Sequence, residues 1–594
     1  MLADKWIIDR TPTKRFPSYT RGNAADVLAD PVSPLGWSLC WEKGVVLGCK
    51  VGFVTFGVFE HEDYGTPPET FGLFGGYFYN SLMQARLMGV RMPGATPEAI
   101  DAAYFDDNPD VPPYVAEPWH ESPVHEAKLG ETMAYVMGST VHPPVEQQKI
   151  LAIKIRAERP DLSKLSDAEL VARARSMAPI LVETFEQHVW SSLGASLGPG
   201  AVQAITAAIG RPEDGVRLIG AVGDVDSALI AIDLWDLSRT IRSTPEITAA
   251  FDAGFEGWEG RIAGTEFEKA LNAFKLKHGS RGPNEWDPAA HSYETNPRLA
   301  FAQLDRLRHQ SDGSDPRAAS KRNGAERARL FAEISEALAG DAETAGMFAA
   351  GYASAAGWQQ ARERCKTNNI AVIHEVRVAI TELGRRHAAA GNIAAETDIF
   401  MLLEAELDAF LANPASFKAT LAERALDHAE LATLEPPFIV NGSVPPLSQW
   451  KRRGAGNYEP VKVGDVLTRI DGKPFDGRLT SLSARMKGPD AGRVALWFRR
   501  DGERRSDRQD WPVIVETAAL GQWKSVALPE GETVEAEPTF GLKNWDVFID
   551  KAGRYDAQRS EARLTALLVP IYLVQMRLWG PLALWGALAA VAVP

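Results

Sequence analysis

The chain of 594 residues carries 78 acidic and 64 basic side chains, a formal net charge of −14, and 45% hydrophobic residues. This composition is typical of a globular protein with several domains and excludes general disorder. The negative net charge argues against a general nucleic-acid-binding function, because phosphate neutralisation needs a basic face. Cys40, Cys49 and Cys365 lack the number and spacing of a disulfide framework or a zinc module, so we expect a reducing compartment.

Residues 1–145 mix short apolar runs with glycine and proline and predict a mixed α/β N-terminal part. Residues 45–59 are rich in β-branched and aromatic side chains and predict a strand broken at its glycines. Residues 71–80 either continue that sheet or begin a helix, whereas Thr96-Pro97 indicates a helix start. Charged residues stand where a signal peptide needs its apolar core, so we expect a cytoplasmic main body.

Two imidazoles and two carboxylates lie close together in this first part, at His120, Glu121, His125 and Glu126. Pro123 excludes the regular helix that would place both imidazoles on one face. The pattern favours a loop with satisfied or solvated side chains, and we predict no metal site.

Residues 146–435 have the apolar periodicity of a multi-helix domain and not of a parallel sheet. Ser166 and Glu169 form a capping box, which predicts a helix to about residue 197 unless Pro179 breaks it. Further predicted helices cover residues 244–254, 256–277, 298–308, 321–338 and 344–390.

A polar turn between two of these helices is the first candidate for substrate recognition. It runs from His278 through Arg281, Glu285 and Asp287 and is built around a Gly-Pro pair. Such a turn presents an imidazole, a cation, two carboxylates and backbone donors to a cleft.

The helix predicted through residues 362–385 carries three cations on its broad apolar face, namely Arg362, Lys366 and Arg377. The same geometry directs three other side chains away from that face: Arg364, His374 and Arg385. An unpaired buried charge is costly, so the cations on the apolar face must find an anion or water.

Two interpretations of these cations stay open. In the first they hold helices together by pairing with acidic residues of neighbouring segments: Glu285, Asp287, Asp398 and Glu404. In the second they form an anion site in the helical core, because arginine forks suit phosphate and carboxylate groups.

After residue 435 the pattern changes to strands separated by turns. Asp471-Gly472 and Asp501-Gly502 are turn signals between predicted strands. The predicted parts in chain order are a proline-rich linker, a β-rich domain and a connector, over residues 436–455, 456–530 and 531–563.

Residues 564–594 form an apolar run that one charge, Arg577, interrupts, and the run is long enough to span a bilayer. Arginines at 554, 559 and 563 would hold the preceding flank in the cytoplasm. We expect membrane anchoring through this C-terminal apolar helix, with a buried or interfacial helix as the alternative. Because the chain stops inside the run, we also expect that the sequence is truncated there.

Several ordered motifs in residues 1–450 resemble one known family. They are Arg21-Gly-Asn23 with Pro31-Val-Ser33-Pro-Leu35, Gly75-Gly-Tyr-Phe-Tyr79, the stretch His278 to Glu285, Arg362-Glu-Arg-Cys-Lys366, Gly391 with Asp398-Ile-Phe400, and Pro436-Pro-Phe438 to Trp450. This set resembles the substrate-binding region of phosphoenolpyruvate (PEP)-utilising, phosphohistidine-dependent dikinases, such as PEP synthase-like proteins and rifampicin phosphotransferase.

The resemblance implies a division of labour between domains. In that family an ATP-grasp domain phosphorylates a histidine of a swivelling domain, which delivers the phosphoryl group to an acceptor in the helical region. This sequence resembles only the last part, because Pro143-Pro144 follow Ser139-Thr-Val-His142 where the phosphohistidine motif has small residues. It also departs from the Gly-His-Arg of many relatives, since it has Gly279-Ser280-Arg281 with His278 beside it.

Residues 463–502 resemble part of a bacterial PDZ domain around Gly464-Asp465 and Asp471-Gly472. The resemblance implies a peptide ligand captured by strand addition. An alternative is that the join near residues 451–458 is an assembly artefact.

The sequence therefore predicts a multi-domain, mainly α protein. A helical substrate-binding domain with a mixed α/β N-terminal part precedes a small β-rich PDZ-like domain and a C-terminal apolar helix. We predict the substrate-binding component of a phosphohistidine-dependent phosphotransferase that is not catalytically complete alone. ATP-grasp and phosphohistidine-domain proteins would act in trans and use ATP and Mg, while this chain itself binds no cofactor.

The predicted ligand is a small, partly apolar acceptor with a hydroxyl group. The predicted substrate-binding residues are Arg21, Asn23, Ser33, Arg281, Glu285, Asp287, Arg362, Lys366 and Arg377, and His278 is the candidate catalytic base. The alternative function is a non-catalytic, membrane-tethered, PDZ-containing scaffold or sensor with a degenerate dikinase-like domain.

Overall fold

The computed structural model describes residues 4–452 apart from 94, 106–110, 122 and 221–225. Beyond residue 452 it describes residues 466–471, 473–475, 482, 485, 494–499, 511–515, 523–526, 541–544, 548–549 and 555–556. The predicted apolar helix over residues 564–594 lies outside the described residues. Within the described residues, no helix has both the length and the apolar character needed to cross a membrane.

Most of the described chain is helical. The α-helices are α1 Ala24–Val27, α2 Val46–Phe56, α3 Leu82–Arg91, α4 Pro97–Phe105, α5 Pro123–Gly138, α6 Pro143–Ala157, α7 Asp167–Ala208, α8 Pro212–Ile219, α9 Asp226–Ser243, α10 Pro245–Asp252, α11 Trp258–Ile262, α12 Glu266–His278, α13 Pro297–Arg308, α14 Pro316–Ala337, α15 Ala342–Ala389, α16 Leu407–Ala412 and α17 Lys418–Leu431. A π-helical segment, Gly36–Val45, leads directly into α2.

The helix starts that capping residues predict are confirmed. The Ser166 hydroxyl accepts a hydrogen bond from the Glu169 amide, and α7 then continues through Pro179 to Ala208, beyond its predicted end. Asp341 caps α15, whose 48 residues match the predicted helix over 344–390 closely.

A small antiparallel sheet joins the two ends of this part of the chain. Its strands are β1 Ser18–Thr20, β2 Phe71–Phe74, β3 Tyr77–Ser81 and β5 Ile439–Asn441, in the order β2-β3-β1-β5. Two short strands, β4 Leu434–Glu435 and β6 Lys451–Arg452, pair separately. Residues 71–80 thus form a hairpin, and the proline-rich stretch after residue 435 contributes a strand to the N-terminal sheet.

The strand predicted over residues 45–59 is wrong, because residues 45–56 are helical and form the end of the π-helical segment and α2. Gly44, Gly48 and Gly52 recur at helical spacing and face α7. A Cβ atom at any of them would stand 2.5–2.6 Å from an atom of α7. Close helix packing, which needs small residues, therefore overrides the β propensity of the flanking side chains.

One cluster of buried side chains runs from Trp6 to Trp450 and includes residues of α7, α15 and the N-terminal sheet. A second cluster lies among α9 to α13 and contains Phe251, Trp258 and Phe301. Among the described residues, those up to 452 belong to one compact unit and those from 466 to 499 belong to another.

Short strands form most of the described part of the chain after residue 465. They are β7 Val466–Ile470, β8 Lys473–Pro474, β9 Val494–Arg499, β10 Trp511–Val515, β11 Trp523–Val526, β12 Gly541–Asn544, β13 Phe548–Ile549 and β14 Tyr555–Asp556. Five follow the order β10-β9-β7-β12-β11, and β8 pairs with β7. The hairpin predicted at Asp471 is confirmed, since β7 and β8 are antiparallel and Asp471 has a φ of 50°.

Candidate functional site

Helices α7 and α15 form the frame on which the site is built. The Thr184 hydroxyl donates to Asn369 Oδ1 over 2.9 Å, and the Asn369 amide donates back to the Thr184 carbonyl. Further along, a Cβ atom on Gly198 would lie 2.5 Å from the Ala355 amide nitrogen. The two backbones are therefore in close contact, and side chains along their seam hold fixed positions.

Three of the predicted site residues meet beside α15. Arg281 donates from Nε and Nη2 to Glu285 over 2.6 and 2.9 Å, and the Lys366 ammonium lies 3.4 Å from Glu285 Oε1. Burial raises the pKa of Glu285, but the hydrogen bonds and charge of Arg281 and the charge of Lys366 outweigh it, so the net pKa is lowered. The cluster holds two cations and one carboxylate, which leaves one positive charge in excess.

Arg362 lies one helical turn before Lys366 and is exposed, so its predicted position on the apolar face is wrong. Lys366 keeps 38% of its side chain accessible, whereas Arg281 and Glu285 each keep only 10%. The cationic group is thus open to solvent on the Arg362 and Lys366 side and closed on the Glu285 side. A ligand would approach from the helix surface.

Arg377 has a different environment from the other cations. It is 1% exposed and donates to the backbone carbonyls of Ser280, Glu285 and Asp287, the shortest over 2.7 Å. Burial lowers its pKa to about 10, so it stays charged at neutral pH. Its contacts fasten the turn after α12 onto α15.

The orientation predicted for His374 is wrong. It is fully buried, its Nδ1 accepts a hydrogen bond from Arg377 over 2.9 Å, and its Nε2 donates to Glu294 over 2.8 Å. Residues three apart lie on the same side of a helix, so one buried contact draws both side chains inward.

Ser33 and Asp287 are brought together although 254 positions separate them. The Ser33 amide and hydroxyl donate to the two oxygens of Asp287 over 2.7 and 2.6 Å. A third donor, the Ala289 amide, binds Asp287 Oδ1. The carboxylate is therefore fully engaged in holding the turn against the π-helical segment.

Arg21 and Asn23 belong to the N-terminal sheet region. Arg21 is buried and donates to the carbonyls of Leu28, Ala29 and Phe78. Asn23 is exposed, with a φ of 60° that makes it the cap of α1.

His278 ends α12 and forms a pair that the sequence did not indicate. Its Nε2 donates to Asp233 on α9 over 2.7 Å, and Lys277 donates to the same carboxylate oxygen. Burial lowers the pKa of His278, and the hydrogen bond and charge of Asp233 only partly oppose this effect. The ring is therefore neutral at pH 7, with its lone pair on Nδ1.

A second histidine that the sequence analysis missed lies on α7. The ring of His188 is 5.0 Å from that of Phe185 and 5.8 Å from that of Trp286, the residue that follows Glu285. Burial and the charges of Arg362 and Lys366 lower the pKa of His188 to about 3. No motif marks this histidine, although its spacing from Thr184 and Ser191 predicts the face that packs on α15.

The acidic partners proposed from the sequence are confirmed at Glu285 only. Asp398 accepts from the Ala395 amide, and Glu404 pairs with Lys43 and Arg175. The sequence analysis missed two other carboxylates that hold arginines at the core. Glu294 binds Arg156 and Arg159, and Glu375 binds Arg159 and Arg173.

The loop predicted around His120 and His125 is wrong at His125, because α5 begins at Pro123, and both histidines are engaged in hydrogen bonds. His120 Nδ1 accepts from Tyr114 and the Glu117 amide, and His125 Nδ1 donates to the Gly57 carbonyl. Among the residues that the structure describes, no group of three or more histidine, cysteine or acidic side chains could hold a metal ion.

Comparison with curated proteins gives distant relatives from mycobacteria. An uncharacterized protein of Mycobacterium tuberculosis strain H37Rv and one of Mycobacterium bovis are each 23% identical over 465 residues, which cover 73% of this chain and 48% of the relative. The chain thus spans about half the length of the curated relatives it matches.

A family model matches the part of the chain that carries most of the site. Residues 177–363 match the fourth domain of rifampicin phosphotransferase. The matched range contains His188, Asp233, the turn from His278 to Asp287, and Arg362. It supports the resemblance of these residues to PEP-utilising enzymes.

Proposed function

We propose that residues 1–450 form the substrate-binding component of a phosphohistidine-dependent phosphotransferase. In this proposal the chain works with ATP-grasp and phosphohistidine partner domains, which use ATP and Mg to charge the histidine. The chain receives the phosphoryl group and holds the acceptor, and it does not complete the cycle alone.

One observation carries the proposal: Arg281 and Lys366 both contact Glu285 beside α15, and Arg362 adds a third cation one helical turn before Lys366. A phosphoryl group in transfer carries negative charge on three oxygens, and fixed cations stabilise that charge in the transition state. The excess positive charge and the open side of the cluster suit an incoming phosphoryl group.

We assign roles to the other predicted residues from their contacts. Arg377 and the Ser33–Asp287 pair hold the turn in place through carbonyl and carboxylate contacts. Glu285 orients Arg281 and Lys366, and His278, fixed by Asp233, orients the acceptor. These assignments place binding at the turn and α15, and positioning around them.

The acceptor we propose is a small molecule with a hydroxyl group and an apolar part. Phe185 and Trp286, which are 6% and 5% exposed, pack against each other beside Glu285 and make the inner side of the cluster apolar. Aromatic walls with a few polar groups are typical of small-molecule sites.

The test mixes the protein with ATP, Mg and candidate ATP-grasp and phosphohistidine partners from neighbouring genes, and follows AMP release with a library of hydroxylated acceptors. Acceptor-dependent AMP release is expected with one partner set. Arg362→Ala should lower it at least about tenfold, as loss of a transition-state cation does.

Arg385→Ala is the matched control, because Arg385 is an exposed arginine of the same helix that pairs with Glu382. It should leave AMP release unchanged. Absence of acceptor-dependent AMP with every partner set, from a folded protein, would count against the proposed function.

A further inference from the structure

We infer that His188 accepts the proton of the acceptor hydroxyl during phosphoryl transfer, an inference that rests on the proposed function. The sequence singles out His278 as the base, but the position of His188 relative to the cations favours a different assignment.

The position of His188 follows from the packing of α7 on α15. Thr184 and Ser191, four residues before and three after it, contact Asn369 and Cys365 of α15. His188 therefore lies on the face of α7 that meets α15, at the level of Lys366. The phosphoryl oxygens that Arg362 and Lys366 would hold are thus next to this imidazole.

The charged groups around the two histidines differ. The charges that act on His188 are those of Arg362 and Lys366, whereas the charges that act on His278 are those of Asp233, Lys277 and Arg281. A base must stand within hydrogen-bond reach of the reacting hydroxyl, which lies beside the phosphoryl group at the moment of transfer. His188 lies on the face of α7 that meets α15 at the level of Lys366, so the inference assigns this role to it.

A structural role explains the imidazole of His188 poorly. Its Nδ1 is buried and has no hydrogen-bond partner among the described residues. By contrast, His142 bonds Tyr135 and Gln187 through its two nitrogens, and His374 bonds Arg377 and Glu294. If His188 served only to pack against Phe185 and Trp286, a phenylalanine would fill the same space. It would also avoid the cost of a buried polar atom without a hydrogen bond.

Burial and the neighbouring cations keep His188 neutral, so it can accept a proton. Burial and the two cations lower its pKa to about 3, so the ring carries no positive charge at neutral pH. A phosphoryl group between Arg362 and Lys366 would cancel their charge and raise that pKa. His188 would therefore become a stronger base only when the phosphoryl donor is bound.

The transfer step balances with the groups named. The partner's phosphorylated imidazole carries a proton on its other ring nitrogen. Its P–N bond breaks and the electron pair stays on the nitrogen that held phosphorus, which leaves a neutral imidazole. The acceptor oxygen forms the new P–O bond, and its proton moves to Nε2 of His188, because Nδ1 is buried. The proton then passes to solvent, and neither partner is oxidised or reduced.

The test uses the full chain with 1-phosphoimidazole as donor and water or ethanol as acceptor, followed by ³¹P NMR. His188→Phe keeps the ring contacts and removes the base. It should preserve thermal stability and donor affinity within about twofold while lowering transfer by 10²- to 10⁴-fold, roughly the contribution of a general base. The wild-type rate should also show a pH inflection that His188→Phe lacks.

His142→Asn is the control, because His142 is a buried histidine outside the site. This variant should keep the wild-type rate and pH profile. Equal rates for wild type and His188→Phe, or donor binding by the wild type without any rate above buffer, would overturn the inference. Failure of the proposed function looks different: the wild type would then bind no donor, or Arg362→Ala and Lys366→Ala would leave donor affinity unchanged.

Discussion

At the residue scale, the balance between Glu285 and the cations it touches governs both stability and ligand binding. Glu285 neutralises Arg281 in a nearly buried contact and still draws Lys366 to 3.4 Å. An incoming anion would compete with Glu285 for the same cations, so the carboxylate limits anion affinity while it keeps the empty site stable.

The first prediction removes this carboxylate charge. Glu285→Gln should lower the free energy of unfolding by about 3 kcal/mol, because it leaves the buried Arg281 without its counter-ion. Inorganic phosphate should stabilise Glu285→Gln more than the wild type in thermal unfolding, since the anion replaces the lost charge.

Glu266→Gln is the control, because Glu266 forms an exposed pair with Lys269, with side chains 87% and 70% accessible. It should change the free energy of unfolding by less than about 1 kcal/mol. Equal phosphate stabilisation of Glu285→Gln and wild type would argue against an anion site at Arg281.

The second prediction concerns His374, whose burial, partly opposed by the hydrogen bond with Glu294, lowers its pKa to about 4. The unfolded chain takes up this proton near pH 6.5, so the stability that the neutral ring contributes is complete above that pH. It is lost as the pH falls from 6.5 to 4, by about 1.4 kcal/mol per unit.

Denaturant unfolding between pH 4 and 7 measures this linkage. His374→Gln should reduce the pH slope of the unfolding free energy by about one proton per molecule. Glu294 and Glu375, whose net pKa values are lowered, act at lower pH, because their stabilisation is present above the unfolded carboxyl pKa. His309→Gln, at an exposed position, should leave the slope unchanged.

At the element scale, local signals predict the helices well and their contacts poorly. The Ser166–Glu169 box and proline at the first turn mark helix starts by satisfying backbone groups locally, so they can be found in the sequence. The helix over residues 46–56 could not be predicted from propensity. Gly48 and Gly52 are needed because α7 packs closely against them, and this contact exists only in the folded protein.

The candidate site shows the same limit. The turn from His278 to Asp287 and the cations of α15 can be identified as polar groups in apolar surroundings. Which carboxylate meets which cation depends on tertiary packing, so Glu294 and Glu375 were missed, although the side chain of Glu375 is only 1% exposed. His188 was missed for the same reason.

The third prediction tests the close contact of α7 with α15. Gly198→Ala places a Cβ atom 2.5 Å from the Ala355 amide nitrogen, and neither backbone can yield locally. Overpacking of this kind should cost about 1–3 kcal/mol of unfolding free energy. Chemical denaturation measures the loss.

Gly200 offers the matched control two residues further along α7, since nothing lies within 4 Å of its Cβ position. Gly200→Ala should stabilise the protein by up to about 1 kcal/mol through helix propensity. If both substitutions stabilise the protein, the two helices are not in close contact at Gly198.

At the scale of the whole molecule, residues near the start of the chain pack against residues 431–450. Strand β1 pairs with β5, so Tyr19 stands opposite Val440. The Tyr77 hydroxyl bonds the carbonyls of Leu431 and Leu434, and a Cβ atom on Gly75 would lie 2.4 Å from the Trp450 ring. The N-terminal sheet is therefore incomplete until residue 450 is in place.

The fourth prediction follows from this closure. A chain of residues 1–452 should unfold cooperatively, whereas residues 1–432 should unfold at a clearly lower temperature. The shorter chain lacks β5 and the buried side chains Val440, Leu447 and Trp450, each contributing about 1.5–3 kcal/mol through burial. It also leaves one edge of β1 without hydrogen-bond partners, which invites association between copies. Differential scanning calorimetry with light scattering compares the two, and equal unfolding temperatures without association would show that the sheet does not depend on residues 433–452.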